Sequence, residues 1–241
     1  MLNNIKRYSW LLVPMIAFGG LFYPLLGLAM IVIMFGIIAI GLFNGKYWCG
    51  NLCPHGSLFD IVIKKFSVSR KVPAFFKSPI LKWGFFIFFM GMFSMRLMNV
   101  IGTWGSEEFI DNLGLMFTVQ YLVMPTILGA SLAILISPRT WCSFCPMGTI
   151  GQLMGQLGNL LGVNRSFEQK ITINQPTECR ECGLCANNCP LELEPYTNFN
   201  EQNRFTDSRC IKCSECVEAC PINILELKKR EEVIEDTARR V

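Results

Sequence analysis

Residues 179–190 read Cys-Arg-Glu-Cys-Gly-Leu-Cys-Ala-Asn-Asn-Cys-Pro, and residues 210–221 repeat the spacing as Cys-Ile-Lys-Cys-Ser-Glu-Cys-Val-Glu-Ala-Cys-Pro. Both are C-x2-C-x2-C-x3-C-P. Eight thiols packed into two such runs restrict the fold more than any other feature of the chain. Two zinc sites are one alternative, since four thiolates suit that ion. Zinc sites, however, usually pair their thiols as C-x2-C across a long gap. Disulfides are another, but they imply a small secreted domain in an oxidising compartment. The apolar remainder of the chain contradicts that.

The run is the one that holds iron–sulfur clusters in bacterial-type ferredoxins, where the fourth Cys of each run serves the other cluster. Three closely spaced thiolates wrap three corners of a cubane, and the fourth, followed by Pro, turns away. The expected cofactors are two [4Fe–4S] clusters. Cys179, Cys182, Cys185 and Cys220 would hold the first; Cys210, Cys213, Cys216 and Cys189 would hold the second. Two such clusters back to back form an electron conduit.

The rest of the chain is of a different kind. Of 241 residues, 51% are hydrophobic and only 17% charged. The apolar residues concentrate before residue 162 and the charges after it, which predicts a membrane part followed by a soluble one. The net charge of +4 hides an asymmetry: over residues 165–226 acids outnumber bases ten to six. Nucleic-acid binding would need a basic face there, so no nucleic-acid partner is expected. The single His, His55, excludes the two-His ligation of a membrane b-type haem within this chain, and no haem b is expected. The N-terminal apolar run is too long for a signal-peptide core, so no cleavable signal is expected.

Residues 10–43 are apolar and uncharged, about 50 Å long as one helix against about 30 Å of hydrocarbon. Pro14, Gly19-Gly20 and Pro24 divide them into a short segment at 9–22 and a full span at 25–43. Residues 44–82 carry seven bases and the single acid Asp60, which makes this loop cytoplasmic by the positive-inside rule. Within it, 57–66 suits a helix lying on the membrane surface. Further spans are expected at 80–101 and 113–136, separated by an acidic outer loop with Glu107, Glu108 and Asp111. That gives about four transmembrane segments. The fold class is a membrane α-helical domain (residues 1–163) with an internal parallel repeat, followed by a small α+β bacterial 2[4Fe–4S] ferredoxin domain (164–227) and a charged tail (228–241). The setting is a prokaryotic inner (cytoplasmic) membrane, multi-pass, with the ferredoxin domain cytoplasmic.

The repeat lies in the membrane part. Trp48-Cys49-Gly-Asn-Leu-Cys53-Pro54-His55-Gly56 parallels Trp141-Cys142-Ser-Phe-Cys145-Pro146-Met147-Gly148. Both copies follow a span on the same side, so the repeats are parallel. A pseudo-twofold axis along the membrane normal would gather Cys49, Cys53, Cys142 and Cys145. Pro at the first turn of each following helix would aim the thiols at a helix N-terminus, whose dipole lowers thiol pKa values. Four thiolates could hold a third iron–sulfur cluster or a zinc ion; reduced thiols packed at a helix entrance remain the alternative.

With both motifs in place, the chain resembles the NapH/NosR-type membrane ferredoxin family, which also includes CcoG-like proteins. The likeness rests on the two W-C-x(2–3)-C-P motifs and the two C-terminal cysteine runs. The second copy here is C-x2-C-P rather than C-x3-C-P, and the outer loop after the first segment is nearly absent. The resemblance implies quinol-linked electron transfer at a membrane, serving a respiratory or assembly enzyme. The expected partners are membrane lipid, quinone or quinol, and a protein redox partner. The function expected is passage of electrons between the quinone pool and a partner enzyme. Reduction of a metal or disulfide during maturation of another membrane enzyme is the alternative. No catalytic nucleophile or acid–base pair stands out. Arg96, inside the third segment, could bind a quinone oxygen, pair with the acidic loop, or snorkel to the interface.

Overall fold

The computed structural model describes residues 2–164, 166–200 and 202–229, with backbone alone for residues 2–4. The expected tail at 228–241 thus lies outside the described residues from 230 onward. The chain forms two compact units, Met1–Ile37 with Asn51–Ile150, and Ile38–Gly50 with Gly151–Val241.

The first unit begins with α1 (Leu2–Tyr8), a 3₁₀ turn at Ser9–Leu11, and α2 (Leu12–Phe22). Pro14 is tolerated in the first turn of α2, where its missing N–H has no helical partner anyway. Tyr23 is extended and Pro24 starts a 3₁₀ segment that leads into α3 (Ala29–Asn44). The short α4 (Tyr47–Asn51) and α5 (Pro54–Ile61) follow, then α6 (Ala74–Lys77) and α7 (Pro79–Ile101). Ser78 caps α7 by accepting the Ile80 N–H, with Pro79 at the first position. α8 (Phe109–Tyr121) runs through a π-helical turn at Leu122–Leu128 into α9 (Gly129–Leu135). The cause is Pro125, which lacks an N–H and opens the ladder; Thr126 Oγ1 donates to the Tyr121 carbonyl at 2.9 Å. α10 (Pro146–Leu160) ends the apolar part of the chain.

Among the described residues, three helical stretches are long and apolar enough to cross a membrane: Pro24–Asn44, Pro79–Ile101 and Phe109–Leu135. The first two would span about 32 and 35 Å. Val32, Phe35, Ile87, Met95 and Met98 project outward from them, unburied by protein, as a lipid-facing surface requires. α2, with 11 residues, reaches only about 16 Å. It buries Val13, Ile16 and Ala17 with Tyr121. The surface helix expected at 57–66 needs correction: α5 stops at Ile61, and Pro54, His55, Gly56, Ser57 and Phe59 are buried. Phe59 packs with Ile63, Ala133, Trp141 and Phe144. Phe59 and Ile63 thus meet protein rather than headgroups, whereas Phe66 remains exposed.

The second unit joins the end of α3 and most of α4 to the cysteine-rich region. β1 (Gln169–Ile173) and β2 (Leu225–Lys229) pair antiparallel, with Ile171 opposite Leu227 and Ile173 opposite Leu225. β2 begins only at Leu225, because Ile222 and Asn223 form a turn in which the Asn223 N–H returns to Cys220 O. Between the strands lie two four-residue helices, α11 (Leu184–Asn187) and α12 (Glu215–Glu218).

Candidate functional site

The two cysteine runs are the same structure twice. In the first, Glu181 and Gly183 flank the middle cysteine with φ of 48° and 74°; in the second, Lys212 and Ser214 do so with φ of 58° and 64°. Three residues past each fourth cysteine, Glu192 and Asn223 are again left-handed, at 51° and 52°. Alternating left- and right-handed residues turn successive N–H groups toward one point, the arrangement that receives anionic sulfur. A non-Gly residue at positive φ costs about 1 kcal/mol or more, so the repeated pattern marks a backbone shaped around something. Only Gly183 meets that demand without strain.

None of the twelve cysteines is in a disulfide. Cys189, Cys210, Cys213 and Cys216 line one cavity, closed by Leu191, Leu193 and Phe205. Burial pushes the Cys210 thiol up to about 11. It raises Cys216 as well, with the neighbouring Cys210, Cys213 and Cys189 adding to the effect. Four thiols crowded in an apolar hole are unfavourable as free thiolates. They become favourable around a cationic iron core, so the donor set and its lining fit a cubane. In the first run, Cys185 stands near Cys179 and its thiol is likewise raised by burial, while Cys182 is exposed. Among the described residues, no group of three or more His, Cys, Asp or Glu is drawn in tightly enough to grip a single ion.

Two contacts in this unit were not foreseen. The Lys212 ammonium, in the loop between Cys210 and Cys213, donates at 2.9 Å to both the main-chain carbonyl and the side-chain oxygen of Asn44, the last residue of α3. A cation thus satisfies carbonyl groups at the negative end of a helix. Glu168 lies 3.6 Å from the same ammonium; burial still pulls the Lys212 pKa down to about 8. Gly50 packs so closely that a Cβ there would meet the Ile211 carbonyl at 2.2 Å. Gly50 follows Cys49, which belongs to this second unit.

The first unit brings Cys53, Cys142 and Cys145 together. Cys53 is raised by burial and then by Cys142, and Cys145 is pushed to about 12 by burial, then Cys142. The N–H groups of Gly56 and His55 face the Cys53 sulfur, and those of Gly148 and Met147 face Cys145, acting in the opposite sense. A helix begins directly after each of these cysteines, at Pro54 and at Pro146. At Cys53 and Cys145 desolvation outweighs these N–H dipoles, so the expected lowering of thiol pKa does not hold there.

Arg139 is 1% exposed. Its Nε and Nη2 donate to the two Asp60 oxygens at 2.9 and 2.7 Å, and Nη1 lies 3.7 Å from the Cys142 sulfur. Burial alone would raise the Asp60 carboxyl, but Arg139, then Lys6 at 3.4 Å, hold it below the usual carboxylate range. By position alone Arg139 is only the first base after the span expected at 113–136. A signal was present: a base stands three residues before the first cysteine of each motif, Lys46 before Cys49 and Arg139 before Cys142, and both are buried.

His55 is buried, and burial lowers its pKa to about 3. Its Nε2 lies 2.9 Å from Thr126 Oγ1, and its ring stands edge-on to Tyr121 at 4.4 Å. The π turn therefore offers the hydroxyl that meets the only histidine. Arg96 Nη1 donates to Gln120 Oε1 at 3.2 Å, a partner in the neighbouring span that sequence reading did not name.

Residues 171–221 match the family described as a 4Fe-4S dicluster domain. Residues 26–73 and 120–164 each match the family described as a 4Fe-4S binding domain. The chain is similar to "Putative electron transport protein YccM" of Escherichia coli K12, 26% identical over 219 residues, 83% of this chain but 55% of that protein. An uncharacterized protein of Methanocaldococcus jannaschii is 24% identical over 198 residues, covering 80% of this chain and 68% of its own length. NADH-quinone oxidoreductase subunit I of Pelobacter propionicus is 36% identical over 63 residues, 22% of this chain and 34% of that protein. No solved structure matches. The chain carries 4Fe–4S ferredoxin-type domains, and it spans about half the length of the Escherichia coli relative.

Proposed function

We propose that this protein passes electrons between the membrane quinone pool and a redox partner protein. The observation that carries the reading is the cavity where Cys189, from the first run, meets Cys210, Cys213 and Cys216 of the second. It supports Cys189 as the fourth ligand of one cluster and, by the repeat, Cys220 as the fourth ligand of the cluster at Cys179, Cys182 and Cys185. When bound, two [4Fe–4S] clusters accept and release single electrons. The cysteines hold them, the left-handed residues aim N–H groups at the sulfurs, and the apolar lining excludes water. Quinone enters through the resemblance to NapH/NosR/CcoG-type proteins and the partial likeness to an NADH-quinone oxidoreductase subunit.

Cys49, Cys53, Cys142 and Cys145 form a third metal site in this reading, an iron–sulfur cluster by preference. The proximity of three of them, Arg139 beside Cys142, and the double match of one 4Fe-4S family to 26–73 and 120–164 support it, and they support the internal parallel repeat too. Dry thiols are poor nucleophiles, which weighs against disulfide or metal reduction for a maturing enzyme. Four spans are favoured over three. The ion pair of Lys6 with Asp60 holds the N-terminus on the side of the basic loop, so α2 must lead away from that side before Pro24–Asn44 returns. That basic loop makes the side cytoplasmic, in a prokaryotic inner membrane. Domain limits of 1–163, 164–227 and 228–241, and no role for nucleic acid, complete the reading.

The test is anaerobic EPR of the dithionite-reduced full chain with iron and acid-labile sulfide counts. Two interacting [4Fe–4S] signals are expected, with iron beyond eight atoms per chain, about four to a cubane, if the third site is a cluster. Zinc without sulfide overturns the reading.

A further inference from the structure

We infer that the second unit holds the quinone headgroup in a polar cleft beside Cys210; this rests on the quinone-linked function proposed above. The cleft is open to solvent and has a cavity volume of about 180 Å³, smaller than a pocket for a whole drug-sized ligand, so it takes a ring headgroup and leaves the tail outside. One wall is α10, which presents Gln152, Gln156 and Asn159. Their spacing of four and three residues puts them on one helix face. The floor is Gly45 and Lys46, directly after the end of α3, a membrane-spanning helix. The far wall is β1 and the 205–212 loop, including Cys210 itself.

The charges decide what kind of ligand suits it. Lys46, Lys170 and Lys212 share the cleft with Glu168 and Asp207: Lys170 and Lys212 lie 3.4 and 3.6 Å from Glu168, and Asp207 is paired with Arg209 at 2.6 Å. A nearly balanced cleft rimmed with amides does not select a phosphate or another strong anion. It suits a neutral ring with two carbonyl or hydroxyl oxygens, which the Gln156 and Asn159 amides are placed to meet as donors or acceptors. The same helix and its surroundings supply a path for an apolar tail. Leu157 and Leu160 are exposed on α10 and Leu161 directly after it, and Phe43 stacks edge-on with Phe167, both exposed as well. A headgroup site at a span's end, with an apolar flank and a cluster ligand for a wall, places an isoprenoid quinone within reach of the electron path.

The experiment uses the full chain in nanodiscs with an azido-menaquinone photoprobe. Light-induced labelling is expected in peptides covering 152–159 or 205–212. The double variant Gln156→Leu/Asn159→Leu should lower that labelling at least about tenfold, a loss of two polar contacts, with iron content unchanged. Asn159→Leu alone, a single change on the helix surface, should show an intermediate loss. Labelling that maps to the Arg96–Gln120 region and is indifferent to both variants overturns the site. If the wild-type clusters are still reduced by menaquinol in that case, the proposed function stands without it. Failure of menaquinol to reduce the wild-type clusters, with dithionite succeeding, removes both.

Discussion

The two pairs of similar cysteine motifs are built on opposite principles. In the ferredoxin region the copies are alike residue by residue in backbone: positive φ recurs at 181 and 212, 183 and 214, 192 and 223. Side chains at those positions differ freely, Glu against Lys and Gly against Ser. In the membrane-proximal motif the local chain differs between copies, a short α-helix at Tyr47–Asn51 against a 3₁₀ turn at Trp141–Ser143. What recurs there is a buried base three residues before the cysteine and a Pro-led helix after it. The first motif shapes its site with main-chain dihedrals. The second relies on burial and charge, where a cluster of thiols in a dry environment needs a cation such as Arg139.

The comparison is most exposed to cysteine replacement. Cys189→Ser should remove the same EPR signal as Cys210→Ser or Cys216→Ser, and Cys220→Ser should remove the other. Each would lose about half of the ferredoxin-region iron. If Cys189→Ser and Cys220→Ser affected one signal alike, the crossed ligation would be wrong.

Asp60→Ala tests the charge-based motif. It leaves Arg139 buried with its carboxylate partner gone, a loss of about 3 kcal/mol, measurable as a fall in thermal inactivation temperature in detergent. The pH dependence has a definite sign. The folded Asp60 pKa lies below its unfolded value of about 3.9, so its stabilisation is complete above that value and is lost as pH falls through the folded pKa. Wild type should therefore lose stability at strongly acid pH by a term that Asp60→Asn abolishes. A similar acid slope in Asp60→Asn and wild type would exclude the pair as its source.

Two smaller effects address the backbone-based motif. Gly183→Ala should destabilise by about 1 kcal/mol, since φ is 74° but no atom lies within 4 Å of the added methyl. Ser214→Gly, at the equivalent position, should change stability in the favourable direction by under about 1 kcal/mol. Opposite signs in chemical denaturation of the cluster-loaded protein would show that dihedral angle, not crowding, sets these positions. Gly50→Ala is the crowding control. Its methyl meets the Ile211 carbonyl, so it should weaken retention of iron by Cys210 and Cys213, read by iron release to a chelator.

Much of this was legible beforehand because it depends on short-range patterns. Cysteine spacing named the cluster chemistry, and runs of apolar residues located the three long helices within a few positions. The buried α5 was misread, since an apolar segment next to lysines has the same pattern whether it faces headgroups or protein. The Arg139–Asp60 pair joins residues 79 positions apart, and no local periodicity reports it.

The sequence by itself determined the iron–sulfur chemistry and the division into apolar and cysteine-rich parts, because thiol spacing and hydropathy act through neighbours in the chain. Only the tertiary structure decided that Lys212 ties the loop between Cys210 and Cys213 to the end of α3, and that burial overrules the helix dipole at Cys53 and Cys145. Each of those depends on which distant segments exclude water together, a property that no single stretch of the chain possesses.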